Sequence, residues 1–348
     1  MKIIEVITNN KISKIFIGET LKNLKKYLPE QRKIIIITDE NIVKYYYDLI
    51  ENYPIIVIGQ GEENKTLKTV EYIFEKLIEF EADRSTFIVA IGGGIVTDVA
   101  GFAASIYMRG LKFGFVSTTL LAQVDASVGG KNGVNFHRYK NMIGVFNQPN
   151  FVLCDIDSLK TLERREFIAG FAEIIKAAAI RNADFFEFLE KNIDKALDYD
   201  YNVIEHLIYE SVLIKAKIVE NDEKEEKGER RILNFGHTFA HAYEKLSKNL
   251  LHGEAVAIGM VMASKLSKKL GFLSQNEVDR ITCLIKNSGL PVSIEFKIND
   301  IVDAMRKDKK RENEFIHFVL LNKIGNAFTY LISINQLEEI VYDLCADN

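Results

Sequence analysis

Short apolar runs alternate with helical stretches through the first half of the chain. Residues 33–39, Lys-Ile-Ile-Ile-Ile-Thr-Asp, predict a buried strand, and residues 40–50 a helix after it. Residues 55–58 predict another strand and 66–80 an amphipathic helix. A third strand over 86–91 runs straight into Gly92-Gly93-Gly94 and a helix over 96–105. Strands over 113–117 and 151–154 complete the set, and the N-terminal segment alternates apolar and polar residues like a strand. Strands interleaved with helices in this way imply βαβ units and a mainly parallel sheet.

After about residue 158 a helical period takes over, in 162–180, 184–196, 203–220, 235–246, 253–270 and 275–288. A charged stretch over 220–231 separates two of these helices, and 314–321 with 327–332 predicts a hairpin around 322–326. The pattern predicts an α/β nucleotide-binding domain with a mainly parallel sheet over residues 1–157. A mostly α-helical domain follows over 158–348, and an active site between the two is the default expectation.

Composition narrows the function classes. With 47% hydrophobic residues in 348, real cores form without disulfide staples. The cysteines, Cys154, Cys283 and Cys345, are scattered, which argues against a disulfide framework or a cysteine-based zinc module and fits a reducing compartment. No signal-peptide core is present and no apolar run approaches the roughly 20 residues of a membrane span. A net charge of −4 without a basic block excludes nucleic acid as an expected partner. The expectation is a cytoplasmic protein with no membrane partner.

The glycine triplet lets backbone approach a ligand, and the helix N-terminus beyond it offers N–H groups to a diphosphate. It is not the G-x-G-x-x-G fingerprint, and a tight strand-to-helix turn is the competing account. Asp39 suits a ribose hydroxyl, or a helix start; Glu62 and Lys65 suit a cofactor, or surface charge. His237 and His241 are four apart on one helix face, and His252 precedes another helix. Imidazoles suit zinc, with core or capping histidines as the competing account, and Glu173 on an apolar helix suits a carboxylate ligand, with a surface salt bridge to Lys176 as its alternative. Arg109, Lys131, Lys140, Lys176, Lys215, Arg230, Lys309 and Lys310 flank these elements, and Lys131 ends a small-residue run suited to an anion.

Six segments carry more than their separate chemistry: GGGIVTDVAGFAASIYMRG, STTLLAQVDASVGGKNGVN, KNMIGVFNQP, AGFAEIIKAA, NFGHTFAHA and LHGEAVAIGMVMA, with DKK near the end. In this order, from about Thr38 to Lys310, they resemble the 3-dehydroquinate synthase family. The resemblance implies a catalytic NAD, a divalent metal (zinc or cobalt) and a small anionic sugar phosphate as substrate. Its metal ligands fall on Glu173, His237 and His252. Its NAD contacts fall on Asp39, Glu62, Lys65, Gly93, Gly94, Ile95, Asp98, Thr118, Thr119, Asp125, Lys140 and Thr161. Substrate contacts fall on Asp125, Lys131, Asn141, Lys176, Lys215, Arg230, Asn234, His241 and one of Lys309 and Lys310. Catalytic work falls on Lys131, Asn141, Lys176, Glu225 and His241. Arg109 resembles an arginine that reaches the substrate phosphate of a neighbouring subunit, which implies a homodimer.

The implied reaction, in aromatic amino acid biosynthesis, turns 3-deoxy-D-arabino-heptulosonate 7-phosphate into 3-dehydroquinate and phosphate. NAD takes a hydride from C5 of the substrate, phosphate is eliminated, the hydride is returned, the ring opens and an aldol closes the carbocycle. Two departures stand out: the stretch from Asp222 to Arg230 is one residue longer than is common in relatives, and Glu163 replaces a common proline. A cyclase for another sugar phosphate and a metal-dependent polyol or alcohol dehydrogenase are the alternatives.

Overall fold

The continuous apolar runs of the first half become the inner strands of one seven-stranded sheet. In the computed structural model, which describes residues 1–8, 11–137, 139–247, 249–306, 311–312 and 314–346, the chain divides into two compact units. The first takes Met1–Glu163 with Lys215–Lys224, and the second takes Arg164–Ile214 and the residues from Glu225 on.

In the first unit, β1 (Lys2–Thr8) and β2 (Lys11–Ile17) form an antiparallel hairpin, where the sequence suggested a single alternating strand. Then come β3 (Ile34–Asp39), α1 (Glu40–Ile50), β4 (Ile55–Ile58), α2 (Leu67–Glu79), β5 (Phe87–Gly92), α3 (Gly94–Ile106) and β6 (Lys112–Ser117). A second hairpin, β7 (Lys131–Phe136) with β8 (Tyr139–Phe146), was not legible as strands, and β9 (Phe151–Cys154) returns to the sheet. The sheet order is β1-β2-β9-β6-β5-β3-β4, and every pairing beyond β1–β2 is parallel.

Parallel strands are covered on both faces, which explains runs with no polar alternation. Ile34 and Ile36 pack with Phe87, Val89, Ile91, Val116 and Leu153 on one face, against Leu21, Leu24, Ile42 and Ile50. Ile35, Ile37, Ile88 and Ala90 are equally buried. Each buried isoleucine contributes about 2 kcal/mol.

The second unit is built from α4 (Arg164–Arg181), α5 (Ala183–Leu197), the first turns of α6 (Tyr201–Asn221), α7 (His237–Leu246), α8 (His252–Lys269) and α9 (Gln275–Asn287). Beyond these lie α10 (Ile298–Arg306), β10 (Arg311–Glu312), the hairpin β11 (Phe315–Lys323) with β12 (Asn326–Ser333), and α11 (Ile334–Ala346). Phe239 and Tyr243 of α7, Ile258 and Met262 of α8, Met305, Phe318 and Val341 share one core. Among the described residues, no helix is long and apolar enough to cross a membrane.

Candidate functional site

In the first unit the sheet topology itself selects a place. From β3 the chain steps to β4 at one edge, while β5, β6 and β9 succeed one another on the other side of β3. The order therefore reverses between β3 and β5, and in open α/β sheets ligands bind beyond the carboxyl ends of strands at such a point. Asp39 closes β3, the glycine triplet closes β5, and Thr118 and Thr119 follow β6. Gly93 is the N-cap of α3. A Cβ on Gly94 would stand 2.9 Å from the Cβ of Ala126, and one on Gly93 would stand 3.0 Å from Thr119 Cγ2. Ile95 lies in the first turn of α3.

Asp39 is the N-cap of α1 and accepts the N–H groups of Asn41 and Ile42 at 2.9 and 3.1 Å. Burial raises its pKa above the ordinary value although those two N–H groups pull it down. Lys65 is 5% exposed, so it is no surface charge, and its ammonium lies 2.5 Å from Asp98 Oδ2. Burial works against that ammonium, yet Asp98 and Glu62 carry its pKa above the ordinary value. Asn135 ties the neighbouring pieces together. Its amide donates to Glu62 Oε1 at 2.8 Å, its N–H to the Lys65 carbonyl at 2.8 Å, and its Oδ1 accepts the Asn141 N–H at 2.9 Å.

Asp125 sits in a π-helical turn, Ala122–Ala126, a distortion frequent at functional sites. Lys215 donates to its carboxylate at 2.6 Å and to its carbonyl at 2.7 Å. Thr161 shares a 2.7 Å hydrogen bond with Tyr46. Lys131, Lys140 and Arg109 are exposed: the first two lie on the β7–β8 hairpin, and Arg109 adopts φ +70 beside Met108 at φ +49.

The second unit gathers side chains more tightly. Glu173 lies in the middle of α4 with its side chain 1% exposed. The sequence allowed a surface salt bridge to Lys176; the pair exists, but both partners are buried. Neither Glu173 oxygen has a hydrogen-bond partner of proper geometry. Glu173 Oε1 faces His237 Nε2 and His252 Nε2, each at 3.6 Å.

Close helix packing produces this meeting. A Cβ on Gly253 would fall 1.9 Å from the Ala169 carbonyl oxygen, and one on Gly259 would fall 2.1 Å from the Gly236 carbonyl oxygen. Helix α8 therefore touches α4 and the start of α7 backbone to backbone, which sets His252 beside Glu173 and His237. Gly236 precedes His237 at φ +81, in the left-handed region that glycine tolerates.

These three residues offer ligand atoms that all lie within 4.8 Å of one another. Tetrahedral donors about 2.1 Å from one cation stand about 3.4 Å apart, close to both observed separations. The residues fit a divalent metal: two imidazoles, one carboxylate, and a buried charge lacking hydrogen bonds. The His252 pKa is pushed up to about 9; burial works downward, and the Glu173 and Glu244 carboxylates beside the ring outweigh it.

His241 follows one turn after His237, with ring centroids 5.8 Å apart. Arg230 is 2% exposed in the 3-10 turn Glu229–Asn234, which ends at Asn234. Glu225, half-buried, adopts φ +61. Lys309 and Lys310 lie outside the described residues. Sequence reasoning missed Asn135 and Glu244. The second left a signal, since residues 237, 241 and 244 recur on one helix face.

Family models agree with both halves. A model described as 3-dehydroquinate synthase N-terminal matches residues 55–169, and one described as 3-dehydroquinate synthase C-terminal matches 170–311. The 3-dehydroquinate synthase of Alkaliphilus metalliredigens (strain QYMF) is 42% identical over 338 residues, covering 94% of this chain and 95% of its own length. Among solved structures, a 2-deoxy-scyllo-inosose synthase complexed with carbaglucose-6-phosphate, NAD+ and Co2+ matches with a TM-score of 0.88. It is 28% identical over 98% of this chain and 100% of the other. The 2-epi-5-epi-valiolone synthase of Streptomyces hygroscopicus subsp. jinggangensis 5008, with NAD+ and Zn2+ bound, has the same TM-score at 25% identity and covers 100% of both chains. On two family models and full-length relatives of this identity, the chain belongs to the 3-dehydroquinate synthase family.

Proposed function

We propose that the chain converts 3-deoxy-D-arabino-heptulosonate 7-phosphate into 3-dehydroquinate and phosphate. The observation that carries this reading is the match to 3-dehydroquinate synthases over nearly the full chain, joined to the Glu173–His237–His252 cluster with Lys176 and Arg230, at 3 and 2% exposure, in the same unit. Cationic side chains of this kind suit a substrate that bears both carboxylate and phosphate.

The strand-end residues of the first unit hold NAD, and Glu173, His237 and His252 hold a divalent metal. The solved neighbours with NAD+ and Co2+ or Zn2+ support both assignments. NAD supplies a hydride acceptor that is regenerated, and the metal supplies a Lewis acid that acidifies a hydroxyl. The chain's own residues bind and orient. Lys176 places an ammonium beside the Glu173 carboxylate, and Lys215 fixes the Asp125 turn while offering positive charge. Arg230 provides a planar fork suited to carboxylate or phosphate. His241 carries an imidazole beside the metal ligands that takes or gives a proton at a ring nitrogen.

Elimination of phosphate, ring opening and aldol closure proceed on a substrate held in one orientation, worth up to roughly 7–11 kcal/mol of barrier. In this reading residues 1–157 form the NAD domain and 158–348 the metal and substrate domain. Lys131, Asn141, Asn234 and Glu225 complete the polar set, and Arg109 serves a second subunit's phosphate in a homodimer. The free thiols of Cys154 and Cys283 accord with a cytoplasmic setting.

Protein supplied with NAD and Co2+ or Zn2+ is expected to release one phosphate per heptulosonate phosphate consumed, with no accumulation of NADH. Steady NADH formation from polyols would replace this reading with the dehydrogenase. Turnover confined to glucose 6-phosphate or a heptulose 7-phosphate would replace it with a different cyclase.

A further inference from the structure

The two imidazoles that face Glu173 differ in what holds their far side. His237 Nδ1 is 3.2 Å from the Phe235 carbonyl oxygen, and His252 Nδ1 is 3.2 Å from Glu244 Oε1. A carbonyl oxygen only accepts hydrogen bonds, and a carboxylate oxygen in its ionised form does the same, so with Glu244 ionised each Nδ1 is the donor. A ring held in this way offers Nε2, on the Glu173 side, as its ligand atom once that nitrogen gives up any proton to a metal.

For His237 this tautomer is built into the backbone two residues before it. For His252 it depends on one side chain. Glu244 stands seven residues after His237, two helical turns along the same face of α7, and its side chain is 4% exposed. Such a carboxylate is expensive to bury without a partner. The backbone of His252 is fixed separately. Glu254 accepts the Leu251 N–H at 2.9 Å and is gripped by Arg165 through two bonds of 2.7 Å, which sets where α8 begins. The start of the helix is thus secured without Glu244, whose contact is with the ring of His252.

We propose that Glu244 is a positioning residue for the metal centre, holding His252 through Nδ1 so that Nε2 is the ligand atom. This rests on the metal assignment made above. Its carboxylate also adds negative charge behind the ring, which strengthens the imidazole as a donor.

The test compares wild type with the Glu244→Ala, Glu244→Gln and Glu173→Gln variants. Affinity for Co2+ and Zn2+ is read by competition with a chromophoric chelator, together with the visible spectrum of the Co2+ form and the Tm of metal-free protein. Removal of such an outer partner typically weakens metal binding about 10–100-fold. Glu244→Ala is expected to fall in that range with an altered Co2+ spectrum and a metal-free Tm near wild type. Glu244→Gln keeps an oxygen acceptor without the charge and is expected to recover part of the loss.

Wild-type affinity and spectrum in Glu244→Ala, with Glu173→Gln unable to bind, would overturn this inference and leave the metal site standing. A wild-type protein that binds neither ion would remove both. If Glu244→Ala does not fold, the Glu244→Gln spectrum and affinity decide: values identical to wild type show that the charge contributes nothing.

Discussion

The strand ends of the first unit and the helix meeting of the second both collect buried charge, but they settle it differently. In the first, each buried cation has a nearby carboxylate: Lys65 pairs with Asp98 at 2.5 Å and Lys215 with Asp125 at 2.6 Å. In the second, one ammonium and two imidazole nitrogens face a carboxylate that lacks hydrogen bonds of proper geometry. A region whose charges are already matched is shaped to receive a ligand through backbone and polar edges. A region whose lone pairs converge at 3.6 Å is shaped for a cation. Under the proposed function, the first region is the nucleotide cradle and the second the metal centre.

The largest expected effect comes from removing the charge on which the second region converges. Glu173→Gln keeps the volume and leaves two imidazoles without their carboxylate. The expected outcome is loss of stoichiometric Co2+ or Zn2+ after gel filtration, and loss of activity by several orders of magnitude. NAD binding followed by fluorescence should stay within about threefold of wild type. Retained metal with full activity would show that the two regions do not differ in the way described.

A middle-sized effect breaks the first region's matched pair. Removing one member of a buried pair strands the other, at about 3–5 kcal/mol. With the Asp98 side chain 17% exposed, the lower end applies, so Lys65→Met is expected to cost about 3 kcal/mol in urea denaturation. Lys65→Met combined with Asp98→Asn should recover most of that loss, because no buried charge is then left alone. Equal destabilisation in single and double variants would mean that Lys65 stabilises through its aliphatic stem and not through the pair.

How much of this was legible in the sequence follows from the same physics. The inner strands were readable because parallel strands buried on both faces leave unbroken apolar runs, as in Ile34 to Ile37. The β7–β8 hairpin was not. Gly133 and Gly144 lie where a Cβ would strike the facing backbone at 2.5 Å, and Tyr139, Lys140 and Met142 are all exposed, so no alternating face appears. The histidines were legible because a four-residue spacing is a property of one helix. The Lys65–Asp98 pair spans 33 positions and carries no local signature; Glu244 shares a helix face with His237 and His241, but its bond to His252 joins two helices and is not local. Packing of α8 against α4 at Gly253 depends on backbone contact that only the folded chain reveals.

The smallest expected effect concerns Asp39, where the first region's structural and binding roles can be pulled apart. Its carboxylate caps α1, a task that asparagine performs about equally well. Its pKa is raised, chiefly by burial, so its ionised form is disfavoured in the folded state. A group whose folded pKa lies above its unfolded value stabilises fully below the unfolded pKa and loses that contribution as pH rises through the folded one. Asp39→Asn should therefore match wild-type stability within about 0.5 kcal/mol at acidic pH. It should become equal to or slightly more stable than wild type by pH 7, read as Tm at several pH values. If the carboxylate also holds a ribose hydroxyl, NAD affinity at pH 7 should fall about tenfold or more while Tm does not, since hydrogen bonds to charged groups are worth roughly 1.5–3 kcal/mol. A parallel fall of Tm and NAD affinity would reduce Asp39 to a helix cap, and the cradle would then rest on the glycine turn and Thr118 and Thr119 instead.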